Sequence, residues 1–209
     1  FISAGISISE PSEIYSLGDR IYIDLDGLRG SESGNLNIDL VCGNRTANLV
    51  RIPARSFSPN EDQSYSVPYK ILNKEDLEIV AMEEVIGNCQ LISSLGTEIA
   101  STEKFTISKD ISVSVSLDKD SYNPGESVTV DIEATKANGE LLKNGFIEAS
   151  NASDFNKAIE DGSVSEIFSI SETAKAGIYF LNIRAYDVGR DGVLNEGSFV
   201  VSFNVNQVA

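Results

Sequence analysis

Near the C-terminal end, the run DVGRDGVLNEG (Asp187 to Gly197) carries the sharpest chemical pattern in the chain. Asp187 and Asp191 fall at the first and fifth positions, and Gly192 at the sixth, of the spacing that wraps a calcium ion in oxygen ligands. The third position holds Gly189 rather than an acid. Ser198 stands where a bidentate carboxylate closes such a loop, which leaves Glu196 as the nearest further acid. The competing reading is a long hairpin whose acids and glycines serve turning and solubility. Catalytic chemistry has little to work with. The chain contains no histidine, which removes His-based triads, Cys–His pairs and the commonest metal ligand. It has no phosphate-cradling glycine loop, dinucleotide fingerprint or CxxC. Two carboxylates can hydrolyse a glycosidic bond, but nothing singles out a pair among the many acids, and the chain lacks the tryptophans that line sugar grooves. The expectation is a protein that is not an enzyme.

The 209 residues suffice for one large or two ordinary domains with real cores. At 41% apolar residues the chain is globular in composition, and no apolar run approaches the ~20 residues that span a bilayer. Acidic residues outnumber basic ones 32 to 16, for a net charge of −16. Residues 1–108 and 109–209 each carry 8 basic and 16 acidic residues, which sum to those totals. A uniformly acidic surface argues against nucleic acid and anionic membrane as partners, because both need Lys/Arg footprints. The chain opens at Phe1 and its one methionine is Met82, so it is expected to be a processed chain or an excised fragment. FISAG and NVNQVA then read as junctions to further domains, which would supply any anchor.

Two segments show how the chain is organised. YSLGDRIYIDLD (Tyr15 to Asp26) aligns with YNPGESVTVDIE (Tyr122 to Glu133) at an offset of 107. Each has a Tyr, a turn glycine (Gly18 or Gly125), an acid, and then a strand with alternating apolar residues. KFTI (Lys104 to Ile107) echoes SFNV (Ser202 to Val205) in the same way. Two domains of similar plan, 1–108 and 109–209, are expected, joined near Ser108 to Ile111 by a link of ~4 residues that allows limited flexing. In the second, period-two alternation predicts strands at 111–117, 126–135, 145–150, 163–170, 177–186 and 197–205. Short strands at this density predict an antiparallel sandwich. The first domain adds a predicted helix near 74–86, capped by Asn73.

AGIYFLNIRAYD (Ala176 to Asp187) and YNPGESVTVDIEA together resemble strands of immunoglobulin-like modules in bacterial and archaeal cell-surface proteins, including macroglobulin-like (MG2-type) ones. The resemblance implies an all-β fold of two tandem immunoglobulin-like antiparallel β-sandwiches. It implies a tyrosine corner at Tyr179, whose hydroxyl would bond back to the preceding turn. The antibody-type cysteines and core tryptophan are missing, and Leu181 stands at one of those cysteine positions. In an extracytoplasmic sandwich of this kind the only two cysteines, Cys42 and Cys89, suggest a disulfide; free buried thiols in a cytosolic protein are the alternative. GNCQ (Gly87 to Gln90) lacks the Gly-Glu that an internal thioester needs between Cys and Gln. The triplets starting at Asn44 and Asn151 are acceptors for N-linked glycans. In this topology the 187–197 hairpin lies beside Asp110 and near the first domain's loops, so Asp110, Asp187, Asp191, Glu196, Glu10 and Glu13 form a candidate calcium junction.

The function this implies is a non-catalytic stalk, adhesion or assembly module, extracellular or on a cell envelope. Its partners would be other domains of a parent protein, or a protein or glycan, with no cofactor except possible calcium and no membrane insertion of its own. One alternative is a ligand-binding module that recognises a glycan or protein through loops at one sandwich end, with Tyr22, Phe180 and Tyr186 as candidate exposed aromatics. The other is an accessory domain of a macroglobulin-like inhibitor, which would require a bait segment and thioester that this sequence does not contain.

Overall fold

Alternation of apolar and polar residues does most of the building. In Arg20–Leu28 every second side chain from Ile21 to Leu25 is buried and those between are exposed; Ser127–Lys136 repeats the pattern from Val128 to Ala134. A strand presents successive side chains to opposite faces, so this spacing turns each strand into the wall of a core. The computed structural model describes residues 5–30, 34–70, 85–189 and 192–207. The chain divides into two units, Phe1–Ser108 and Lys109–Ala209.

Unit 1 contains β1 (Ser7–Ile8), β2 (Ile14–Ser16), β3 (Arg20–Leu28), β4 (Asn35–Cys42), β5 (Arg45–Pro53), β6 (Gln63–Lys70), β7 (Gly87–Leu95), β8 (Glu98–Ser101) and β9 (Phe105–Ser108). One sheet has the order β1-β3-β6. The other has the order β2-β9-β7-β4-β5, with β8 also paired to β7. Unit 2 contains β10 (Ile111–Leu117), β11 (Ser121–Tyr122), β12 (Ser127–Lys136), β13 (Gly145–Asn151), β14 (Phe155–Ile159), β15 (Ser163–Ser169), β16 (Gly177–Gly189) and β17 (Gly192–Val205). Its sheets, β10-β12-β15 and β11-β17-β16-β13-β14, repeat the same order. Each unit is an immunoglobulin-like β-sandwich, and the fold is all-β.

In both units the opening strand changes sheets. β1 and β10 pair antiparallel with β3 and β12 in the smaller sheet, whereas β2 and β11 run parallel to the last strands, β9 and β17. In unit 2 the two inner faces meet in two buried clusters, one of them centred on Tyr122 and Phe203 and the other mainly aliphatic. Val130, Ile132 and Ala134 come from one sheet, and Ile147, Ala149, Leu181, Ile183 and Ala185 from the other. Fully burying a single Ile or Leu contributes about 1.5–3 kcal/mol.

The offset-107 repeat corresponds to one device built twice. In the turns 16–19 and 123–126, Gly18 and Gly125 take φ of 95° and 85°, the left-handed third corner of a type II turn. An acid closes each turn: Asp19 Oδ2 accepts from the Ser16 amide at 2.6 Å, and Glu126 Oε2 from the Asn123 amide at 3.2 Å. Beneath each turn sits the tyrosine. Tyr15 packs edge-on against Phe105 with centroids 5.6 Å apart, and Tyr122 against Phe203 at 5.4 Å. Each hydroxyl accepts from the amide three residues earlier, Ser12 at 2.9 Å and Lys119 at 3.1 Å. Tyr122 also donates to Asp118 Oδ1 at 2.9 Å.

The sequence reading missed β11 and the edge strand β14, whose FNKAI has no clean alternation. It also stopped β16 at 186 and began β17 at 197, whereas the hairpin runs on to Gly189 and Gly192. The helix expected at 74–86 with its Asn73 cap lies outside the described residues, apart from Val85 and Ile86. Gly87, the residue after that range, opens β7. Among the described residues the only helical piece is a 3-10 turn, Ala54–Ser56.

The crossing of β10 over β17 depends on a missing side chain. A Cβ added at Gly197 would collide with the Ile111 carbonyl oxygen, which is backbone and cannot rotate away. Gly197→Ala is therefore expected to cost about 1–3 kcal/mol through backbone displacement, read as a lowered urea midpoint for unit 2. A second expectation concerns alkaline pH. Burial of the Tyr122 phenol, with the Asp118 hydrogen bond adding to it, pushes its pKa up to about 12. The folded state thus holds that proton more tightly than the unfolded chain, whose tyrosines titrate near 10. The stability this contributes is intact below pH ~10 and is lost as pH rises toward ~12. Urea titrations across that window should show a loss that Tyr122→Phe removes.

Candidate functional site

Because Leu181, Ile183 and Ala185 of β16 point into the core, Phe180, Asn182, Arg184 and Tyr186 must face outward. On the paired strand β13, Phe146, Glu148 and Ser150 alternate outward against buried Ile147 and Ala149. The outer face of the five-stranded sheet of unit 2 therefore gathers aromatic, acidic, basic and amide side chains from four adjacent strands.

They interlock around Glu148. Its Oε1 accepts from the Tyr186 hydroxyl at 2.8 Å and from Asn156 Nδ2 at 3.2 Å. Its Oε2 pairs with Arg184 at 3.4 Å, and Arg184 reaches Glu196 at 3.0 Å on the other side. The guanidinium lies over the Tyr186 ring at 4.7 Å, and that ring stacks on Phe146 at 5.5 Å. The Glu196 carboxylate raises the Arg184 pKa, and the Glu148 hydrogen bond raises that of Tyr186. Beside this network an open groove of about 720 Å³ crosses the strands, with Glu148, Asn156, Asn182, Arg184, Ser198 and Val200 among its lining residues. Asn182 is exposed, and among the described residues its side chain makes no hydrogen bond.

The three candidate aromatics do not form one patch within a unit. Phe180 (53% exposed) and half-buried Tyr186 share the outer face of β16 in unit 2, whereas Tyr22 (62% exposed) lies on β3 of unit 1. Sequence reasoning looked to loop ends for a binding surface and passed over the sheet face. The alternation of β16 and β13 was the signal that could have found it.

The calcium candidates have other engagements. Asp187 is 6% exposed. It pairs with Lys136 at 2.9 Å and accepts from the Asn195 amide at 2.8 Å and from Asn195 Nδ2 at 3.0 Å. This buried cluster secures a bulge where β17 passes Asp187, between the pairs Tyr186–Glu196 and Val188–Val193. Asp187 thus works inside a strand rather than in a loop. Glu196 is held by Arg184, and Asp110 bridges to Glu196 through the backbone. Glu10 belongs to unit 1, where its carboxylate accepts from the Glu103 amide at 2.7 Å; Glu13, also in unit 1, accepts from the Thr106 amide through its carbonyl. Asp191 lies outside the described residues. Among the described residues no three acids or cysteines gather in a way that would hold a metal ion.

Cys42 and Cys89 form a disulfide between directly opposed residues of β4 and β7, with Cα atoms 4.1 Å apart. It joins neighbours within one sheet, unlike the inter-sheet bridge of antibody domains. Tyr179 donates its hydroxyl to the Lys175 carbonyl at 3.1 Å, four residues back, and its ring stacks on Phe203 at 5.8 Å. Asn44 is exposed in the β4–β5 turn, and Asn151 is exposed at the end of β13 with a φ of 83°.

No protein-family model matches the chain, and no curated protein matches it. Among solved structures it is similar to a mutant Salmonella alpha-2-macroglobulin (10% identity, TM-score 0.34, covering 97% of this chain and 15% of that one). It is also similar to the Yersinia pseudotuberculosis adhesin InvE (11%, 0.35, 95% and 58%) and to an ICAM-5 D1–D4 ectodomain fragment (9%, 0.35, 98% and 54%). The chain spans less than two thirds of each of those chains.

Removing the disulfide is expected to destabilise unit 1. Its closure spans a sequence separation of 47, for which the chain-entropy estimate is about 4 kcal/mol. Replacing both cysteines with alanine should lower the denaturation midpoint of unit 1, and reduction of the unmodified protein should give a comparable loss. An unchanged midpoint in both experiments would show that the bridge adds nothing to stability.

Proposed function

We propose that this chain is a pair of non-catalytic immunoglobulin-like modules of a larger extracellular or cell-envelope protein, acting in spacing, adhesion or assembly. The observation that carries the reading is the Cys42–Cys89 disulfide. Such bonds form and persist in oxidising compartments and are rare in the cytosol. Both units devote most of their inward-facing strand residues to aliphatic and aromatic packing, as supporting modules do. The histidine-free sequence and the internal pairing of Glu148, Arg184 and Tyr186 support a non-catalytic role. With a net charge of −16, the surface favours neutral or basic partners.

The groove beside Glu148 favours a second reading, a ligand-binding module. The Asn182 amide and the Ser150 and Ser198 hydroxyls offer donors and acceptors along this groove on the sheet face, a pattern suited to the hydroxyls of a neutral saccharide. A glycan screen with Asn182→Ala as control would separate the two readings.

The test of the leading proposal is intact mass of the protein from its native source, isolated with free thiols blocked. The expected result is two unlabelled cysteines, a mass two hydrogens lower than after reduction, and a polypeptide larger than the 22.5 kDa of this sequence. Two alkylated cysteines on a bare chain of that mass would sink the reading.

A further inference from the structure

The two units differ along the edge of their last strand. In unit 1 that edge is closed: the Thr106 amide donates to Glu13, the Leu17 amide to Ser108, and the Glu10 carboxylate takes the Glu103 amide. In unit 2 the edge is held only at its ends. The Glu196 amide donates to Lys109, and those of Asn204 and Asn206 donate to Asp120 and Tyr122. Between these anchors the chain leaves to form β10 in the other sheet.

Amides two residues apart along a strand point the same way, and the bulge of this hairpin lies before Glu196. The N–H and C=O groups of Ser198, Val200 and Ser202 therefore face outward along an edge that no described strand pairs with. The side chains there are those of a strand awaiting a neighbour. Val200 is 58% exposed and Phe199 41%, and the stretch SFVVSFNV (Ser198 to Val205) is uncharged. Val115 and Leu117 of β10, the strand that leaves this edge, are only partly buried. Proteins normally blunt such an edge with charge, proline or a covering strand; here Ser198 to Ser202 has none of these.

We infer that the β17 edge between Glu196 and Asn204 receives an extended segment of a partner protein as an added strand, with apolar residues at alternate positions and Lys or Arg between them. Backbone pairing supplies affinity, and the alternate side chains supply selectivity. The apolar positions cover Phe199 and the half-buried side chains of β10. The basic positions meet an acidic surface, with Asp120 beside one end of the gap on a chain of net charge −16. The added strand involves unit 2 alone.

The experiment selects from a displayed library of random twelve-residue peptides against the full chain, followed by amide hydrogen exchange with an enriched peptide bound. The expected peptides alternate apolar and basic residues and slow exchange at Ser198, Val200 and Ser202, which exchange faster than Phe199 and Val201 in the free protein. Val200→Pro removes one edge donor at a position where proline is tolerated, and should weaken binding about tenfold. If that variant fails to fold, Val200→Lys places a repelling charge on the same edge and should weaken binding of the basic peptides. Equal binding to a folded variant, protection confined to the groove beside Glu148, or no enrichment would overturn the inference. Concentration-dependent protection of the same three amides without peptide would overturn it in favour of a second copy of this chain.

Discussion

Everything in each unit depends on a tyrosine held under a tight turn. A sandwich of two sheets can splay at its ends, where neither sheet's hydrogen bonds reach the other. Here the opening strand starts in one sheet, as β1 or β10, and finishes in the other, as β2 or β11. Tyr15 and Tyr122 sit at that change of sheet. Each ring is driven into the last strand's Phe, and each hydroxyl is tied to the chain three residues before. The glycine and acid that follow are the means of turning sharply enough to leave the ring in place. In unit 2 the effect extends further, because Phe203 also meets Tyr179 and Phe168, so one buried ring collects three others.

This dependence explains why the repeat was legible. Tyr, Gly and an acid at fixed spacing ahead of an alternating strand are each demanded by a local constraint, so two copies kept the pattern at 107 residues' separation. Strand identity followed from alternation for the same reason. What stayed hidden was set by pairing between distant segments. β14 lies at a sheet edge with one neighbour, so half its surface meets solvent and its sequence need not alternate. Cys42 ends a strand whose alternation from Leu36 to Leu40 puts it on the buried face, but nothing local to Cys89 says that it stands directly opposite Cys42 within one sheet. Asp187 read as a ligand because its partners, Lys136 and Asn195, come from another strand and from a bulge. The outer-face network around Glu148 joins β13, β14, β16 and β17, which become neighbours only once the chain is folded.

The units also solve one problem in two ways. Cys89 pairs with Phe105 in unit 1 as Tyr179 pairs with Phe203 in unit 2. At the entrance to equivalent strands, one unit is secured by a covalent link to β4 and the other by a phenol bonded to the preceding turn and stacked on the core. The covalent version depends on an oxidising environment, and the hydrogen-bonded version does not.

The parallel pairing of β11 with β17, and of β2 with β9, bears on how each unit carries load. Tension applied at the two ends of a unit draws a pair of parallel strands past one another lengthwise. The hydrogen bonds from Asn204 to Asp120 and from Asn206 to Tyr122, or from Thr106 to Glu13 and from Leu17 to Ser108, are then strained together rather than opened one after another. Bonds loaded in shear fail as a group, at higher force than bonds that unzip. A pull on the ends of either unit would therefore meet its parallel pair, β2 with β9 or β11 with β17, as a clasp rather than as a zip.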